Sequence, residues 1–151
     1  MSLMAVPNSV KVPVPFDFVF PHGCLCLGVE PATDFDRRNQ PDDQARDKDT
    51  GERVWLATVV DLDPEAGKFG RPKEVKVKVV APVQPVPPPS AMPGYPPLVE
   101  FTDVTISPWS DSQRCKAPEP GKPHKCKARL GWTIRATGIS EPRSAAKPKA
   151  A

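Results

Sequence analysis

The sequence predicts an all-β protein, and three observations carry that prediction. There are 22 prolines in 151 residues, a density that interrupts helices and central strands and leaves short extended segments as the regular element that can recur. Apolar and polar residues alternate over several stretches, above all "EVKVKVV" at 74–80 and "KCKARLGWTIRAT" at 125–137, which is the period of a half-buried strand. Between such stretches lie "PHG", "DKDTG", "DPEAG" and "PEPGKP", clusters of the residues that turn a chain. An apolar content of 38% and a mean hydropathy of -0.41 fit a lean globular chain of one domain.

Taken in order, "VPVPFDFVF" at 12–20 reads as extended, with Val12, Val14, Phe16, Phe18 and Phe20 on one face. "PHG" turns the chain, and "CLCLGVE" at 24–30 is its expected hairpin partner. Residues 33–51 have no helical period and read as an acidic loop. The loop ends on "DKDTGERVW", whose carboxylates open like a calcium loop. That pattern needs oxygens at positions 1, 3 and 5, glycine at 6 and glutamate at 12. Counting from Asp47, position 5 is Gly51, position 6 is Glu52 and position 12 is Thr58, so the stretch reads as a turn with Gly51 free to take a positive φ.

A strand over 53–62 follows, with Val54, Leu56, Thr58, Val60 and Leu62 on one face and Trp55, Ala57, Val59, Asp61 and Asp63 on the other. It is expected to be largely buried and to become wet at Asp61. In "EVKVKVV" Val75, Val77 and Val79 point inward and Lys76 and Lys78 outward; a slip of one residue would expose the three valines, so the register is well specified. "APVQPVPPPSAMPGYPP" is too rich in proline for strand or helix and reads as a stiff connector of polyproline type, with P-x-x-P spacing in "PVQP" and "PVPP". In "LVEFTDVTISPW" Val99 and Phe101 share a face, but Val104 and Ile106 are out of phase with them, which predicts a bulge or kink at Thr102 and Asp103.

The last strand sets Cys126, Ala128, Leu130, Trp132, Ile134 and Ala136 against Lys125, Lys127, Arg129, Gly131, Thr133, Arg135 and Thr137. Five to six strands, one of them kinked, with no convincing helix, are accommodated by a small OB-like Greek-key barrel, with a β-sandwich as the alternative. Closure hides edges that an open meander exposes. The expected plan is a flexible N-terminus at 1–9, one β-barrel domain at 10–139 and a disordered basic tail at 140–151.

The succession "FVFPHG", "DFDRR", "DKDTGERVW", "DLDPEA", "EVKVKVVAPVQPVPP", "VEFTDVTISPW" and "ARLGWTIRATG" resembles the activators of plasmid replication, integration and excision carried by integrative and conjugative elements of actinobacteria. The likeness spans most of residues 14–139. It implies an accessory regulator that promotes expression or action of an element's replication initiator, integrase and excisionase. It brings no catalytic or DNA-contacting residues with it, and the loop "CKAPEPGKPHKC" is longer than the family leads one to expect.

Charge adds a reading of its own. The net charge is +3, but Glu30 to Glu65 holds 11 acids and 5 bases, whereas Arg114 to Thr137 holds 7 bases and 1 acid. A field so divided steers a polyanion toward one end, within a screening length of about 8 Å at physiological salt. The candidate nucleic-acid contacts are Lys125, Lys127, Arg129 and Arg135 on the last strand, Lys122 in the loop before it, joined by Arg114 and Lys116, and Trp109 beside it, with Trp55 and Tyr95 as further stacking candidates. The expected partner is DNA, single-stranded or at an element promoter. The alternative is an adaptor that recruits the element's proteins through its acidic loop and proline segment. No helix-turn-helix pattern is readable, which disfavours duplex reading by a recognition helix.

Other chemistries find little support. Cysteines at 24, 26, 115 and 126, with His124, lack the paired spacing of structural zinc, and Cys24, Cys26 and Cys126 read as small inward hydrophobes. His22 and His124 are the only histidines, and no nucleophile elbow or phosphate loop occurs, so an enzyme is not expected, nor a metal or other cofactor. "MSLMAVPNSVKVPVP" has neither a basic start nor an unbroken apolar run, and no membrane-length segment follows, so the cytoplasm is the expected compartment.

Overall fold

The structure is a computed structural model and describes residues 10–68, 72–111, 115, 119–123 and 128–143. Its strands are β1 (Val12–Pro13), β2 (Cys24–Pro31), β3 (Val54–Asp61), β4 (Glu74–Val80), β5 (Leu98–Thr102), β6 (Thr105–Asp111), β7 (Arg129–Ala136) and β8 (Gly138–Ser140), with two helical turns among the described residues, α1 (Phe16–Val19) and a short 3-10 turn at Phe35–Arg37. The protein is all-β, as the sequence predicts, in one curled, barrel-like sheet of order β1-β6-β7-β4-β3-β2-β5-β8.

Eight strand segments stand where five to six strands are expected, because two long strands are each broken once. Thr102 pairs with Gly138 and Thr105 with Arg135, so the β5/β8 and β6/β7 ladders are one antiparallel register on either side of a break. The break falls at Asp103, whose φ is 51°, a left-handed conformation that Asp tolerates better than most residues. Across it the Thr137 amide donates to the Thr102 carbonyl at 2.9 Å, and the Thr137 hydroxyl donates to the Asp103 carboxylate at 3.0 Å. The kink predicted at Thr102 and Asp103 is therefore present. It lets one strand serve two walls: β5 pairs with β2, while β6 lies beyond β7, which runs parallel to β4.

Inward positions alternate as a half-buried sheet requires. Val77 and Val79 on β4 are fully buried, as are Ala57 and Val59 on β3 and Cys24 on β2. Lys76 faces solvent while Lys78 is half-buried. Asp61 is a correction: it is 5% exposed rather than wet, because it continues the inward face of β3 and lies opposite Cys24. Its carboxylate accepts from the Asp63 amide at 3.0 Å.

Residues 12–20 correct the sequence reading more sharply. Only Val12 and Pro13 form a strand, which pairs with β6; β2 pairs with β3 and β5 instead of this segment. Phe16 to Val19 is a helical turn, and the Phe20 amide donates to the Phe16 carbonyl at 3.0 Å. Phe16 and Phe20 share a face at either period, two or 3.6 residues, so only Phe18 distinguishes them. Phe18 is 68% exposed and Phe20 2%. The rings of Phe16, Phe20 and Phe101 meet at centroid distances of 5.5 to 6.3 Å.

The proline segment after β4 takes no strand or helix. It is tied to β2 by the Gln84 side-chain amide, which donates to the Val29 carbonyl at 3.0 Å, and by the Pro97 carbonyl, which accepts from the Cys26 amide at 2.9 Å. At the carboxyl end the Arg143 amide donates to Glu100 at 2.9 Å, so the chain still contacts β5 beyond residue 139.

Candidate nucleic-acid interface

The outer face of β7 carries Arg129, Gly131, Thr133 and Arg135, in register with Asp111, Trp109, Ser107 and Thr105 of β6. On the other side Lys78 of β4 lies beside Arg135, and Leu56 of β3 beside Lys78. The β4/β7 ladder begins at Val77 and Ile134, so among the described residues the first half of β7 is paired only with β6. This explains a second correction. Leu130 and Trp132, expected inside, are 66% and 50% exposed, and burial begins at Ile134.

That unroofed end is both aromatic and cationic. Trp132, Leu130, Phe18, Ile106 and Val75 line a hollow of about 940 Å³ on the inner face. On the outer face Trp109 is 45% exposed and its indole lies against Gly131, where a Cβ would stand 2.4 Å from Cε2 of the ring. The bare glycine gives the ring a seat on the strand.

The other candidate residues divide. Arg129 is exposed. Lys122 is exposed and pairs with Glu119 at 3.2 Å. Lys125 and Lys127, with Arg114 and Lys116, lie outside the described residues, as do Cys126 and His124. Trp55 is not available for stacking: it is 8% exposed, and its Nε1 donates to the Ala81 carbonyl at 2.9 Å. Tyr95 is 63% exposed, in the proline segment.

Arg135 is already engaged. Its Nη1 donates to Oδ1 of Asp47 at 3.1 Å, and Lys11 Nζ lies 3.6 Å from the same oxygen. The turn at 47–51 is the one the sequence predicts, with Gly51 at φ 76°. Asp47 Oδ2 accepts from the amides of Asp49 and Thr50 and from the Thr50 hydroxyl, at 3.0 to 3.2 Å. Burial pushes the Asp47 carboxyl up, but the bonds from Thr50, the charge of Lys11 and the Asp49 amide together hold it below the usual carboxylate range. Lys11 also pairs with Asp49. The acidic loop and the basic strand, which read as opposite ends of the chain, thus meet on one face.

Lys78, Lys11 and Asp47 were not singled out by sequence as a group, and no local signal unites them. Lys78 looks like an outward strand lysine, Lys11 belongs to an isolated basic position, and Asp47 reads only as a turn residue. Their neighbourhood is produced by the parallel β4/β7 pairing and the return of the loop.

Elsewhere, Cys24 and Cys26 are inward and buried as expected, and burial, then the nearness of Cys26 and Asp61, pushes the Cys24 thiol up to about 12. His22 is a half-exposed turn residue with Nε2 4.0 Å from Asp63. Among the described residues no group of three or more His, Cys, Asp and Glu side chains converges as a metal-ligand set, and no helix is long and apolar enough to cross a membrane. Compared with known proteins, the chain matches no family, no curated sequence and no solved structure.

Proposed function

We propose that the protein is an accessory DNA-contacting regulator that engages an unpaired strand through the projecting start of β7. The observation that supports this most is one short ribbon with half-exposed Trp109 and exposed Arg129 on its outer face and half-exposed Trp132 on the other. Indole faces stack on unpaired bases without regard to sequence, worth about 1–3 kcal/mol per base, while cations follow the phosphates. Lys122, Lys125 and Lys127 extend the cationic stretch in sequence. In the role implied by the resemblance, this contact serves the replication, integration and excision of a mobile element, alongside its initiator, integrase or excisionase.

Fluorescence anisotropy with single-stranded and duplex oligonucleotides at two salt concentrations tests the reading. Binding to the single strand is expected on the order of micromolar, and four phosphate contacts give a slope of about -3 in log K against log salt. Reversing charge at Lys125, Lys127 and Arg129 together abolishes binding while the far-ultraviolet spectrum is kept. Absence of binding to either oligonucleotide at low salt sinks the proposal and leaves the adaptor reading. That alternative draws on the proline segment, where Val83 and Val86 are 74% and 82% exposed.

A further inference from the structure

We propose that Lys78 and Arg135, side by side on the outer face of β4 and β7, form a phosphate-binding subsite whose orientation is fixed by Asp47. The subsite borders a hollow of about 600 Å³ between the 45–49 turn and the sheet, lined by five cationic and three acidic side chains. The proposal rests on the nucleic-acid reading only for the source of the phosphate.

The bland account is that Lys78 is an outward strand lysine that lies along the sheet with its amine in water. Three observations favour a site. Lys78 is half-buried, and among the described residues no carboxylate lies within ion-pair distance of it. Its neighbour across the parallel ladder is a second cation, Arg135, so the amine loses water and gains repulsion; burial first, then Arg135, pushes the Lys78 amine down from its ordinary value. The Nε of Arg135 is buried without a hydrogen-bond partner. A fold that merely needed to cover Leu56 had no reason to crowd two cations and leave one donor idle, since an unmet buried donor destabilises the folded state.

Among the described residues the one buried carboxylate that lines this hollow, Asp47, does not balance this charge. Asp47 gives Oδ2 to its own turn and Oδ1 to Arg135 and Lys11, so it has no oxygen left for Lys78. It holds one side of the guanidinium, so the Lys78 amine is the group left for a further oxyanion, with the partly exposed Arg135 side chain beside it. Ser107 and Thr133 line the same hollow and supply neutral donors of the kind that complete phosphate contacts. A phosphate monoester or a backbone phosphodiester has the charge and the oxygens to use them.

The test is NMR of the lysine side-chain carbons and nitrogens in the full chain, with the Lys78 signal assigned by Lys78→Met. The protein is titrated at constant ionic strength with inorganic phosphate, and separately with an oligothymidylate, against chloride as control. Saturable movement of the Lys78 signal with both probes is expected, with a rise of its pKa, and Lys78→Met weakens inorganic phosphate about tenfold, whereas Lys76→Met on the exposed side of the same strand does not. Movement with phosphate while the oligonucleotide does not bind at all keeps the subsite and sinks the nucleic-acid reading; movement with phosphate while the oligonucleotide binds and leaves Lys78 still keeps both, with the subsite assigned to a free phosphate. A Lys78 signal that phosphate does not move overturns the subsite.

Discussion

The guanidinium of Arg135 donates to the Asp47 carboxylate at 3.1 Å across 88 positions of sequence. Removing one partner of a buried pair leaves the other uncompensated, at a cost of about 3–5 kcal/mol. Arg135 retains partial contact with solvent, its side chain being 27% exposed against 5% for Asp47, which places Asp47→Ala near the lower end. Asp47→Asn keeps an oxygen for the 47–51 turn and costs less. Because the folded state holds this carboxyl below its ordinary value, its contribution is fully present above about pH 3.9, the unfolded value, and is lost as pH falls through the folded one. Urea midpoints measured from neutral pH down to about pH 2 are expected to show a flatter acid limb in Asp47→Asn than in the unaltered chain; equal limbs would remove the pair from the account of stability.

Phe18 and Phe20 are equivalent in an extended reading and opposite in the structure. Phe20 is 2% exposed and packs against Phe16 and Phe101, so Phe20→Ala is expected to cost about 3–5 kcal/mol by denaturant unfolding. Phe18→Ala is expected to change stability by less than about 0.5 kcal/mol. Equal losses would return the segment to a strand with both rings inside.

How much was legible follows from which signals are local. The inward valines of β4 could be read because alternation with lysine leaves one register, and the kink at Asp103 showed as a phase break between Phe101 and Val104. The exposure of Leu130 and Trp132 could not be read, since it depends on where the β4 ladder stops alongside β7, a fact of pairing between segments 57 positions apart. Phe16 and Phe20 misled because they satisfy two periods at once. The candidate site was legible as charge and as β7, but the capture of Arg135 by Asp47 was not: two charged runs far apart in sequence carry no mark of which carboxylate will reach which cation.

Gly131 lies where any Cβ would strike the Trp109 ring. Gly131→Ala therefore displaces the indole, while the strand gains about 0.5–1 kcal/mol from losing a glycine. The two effects oppose each other, and a net change within about 1 kcal/mol is expected. A double-mutant cycle with Trp109→Ala isolates the contact: the alanine at 131 is expected to stabilise the Trp109→Ala background more than the unaltered one, with a coupling of about 0.5–1 kcal/mol. A coupling of zero would mean that the ring does not rest on the glycine in solution. On the proposed reading, single-strand binding is expected to fall in both Gly131→Ala and Trp109→Ala.

Lys78 is expected to reveal itself by opposing effects on stability and binding. Its amine is half-buried beside Arg135, and burial and that like charge lower its pKa. The unfolded chain therefore binds the proton more tightly, so the charged form weakens folding at neutral pH, and stability rises as pH passes from the folded value up to the unfolded one near 10.4. Lys78→Met keeps most of the aliphatic stem and removes the charge. Its melting temperature at pH 7 is expected to exceed that of the unaltered chain, with the advantage shrinking as pH rises through that window. Lys76→Met, fully outward on the same strand, provides the comparison and is expected to change neither quantity appreciably. A stabilised Lys78→Met that also loses phosphate is the pattern of a residue kept for binding at a cost in stability; a destabilised one would show that the lysine is held by contacts that satisfy it within the fold.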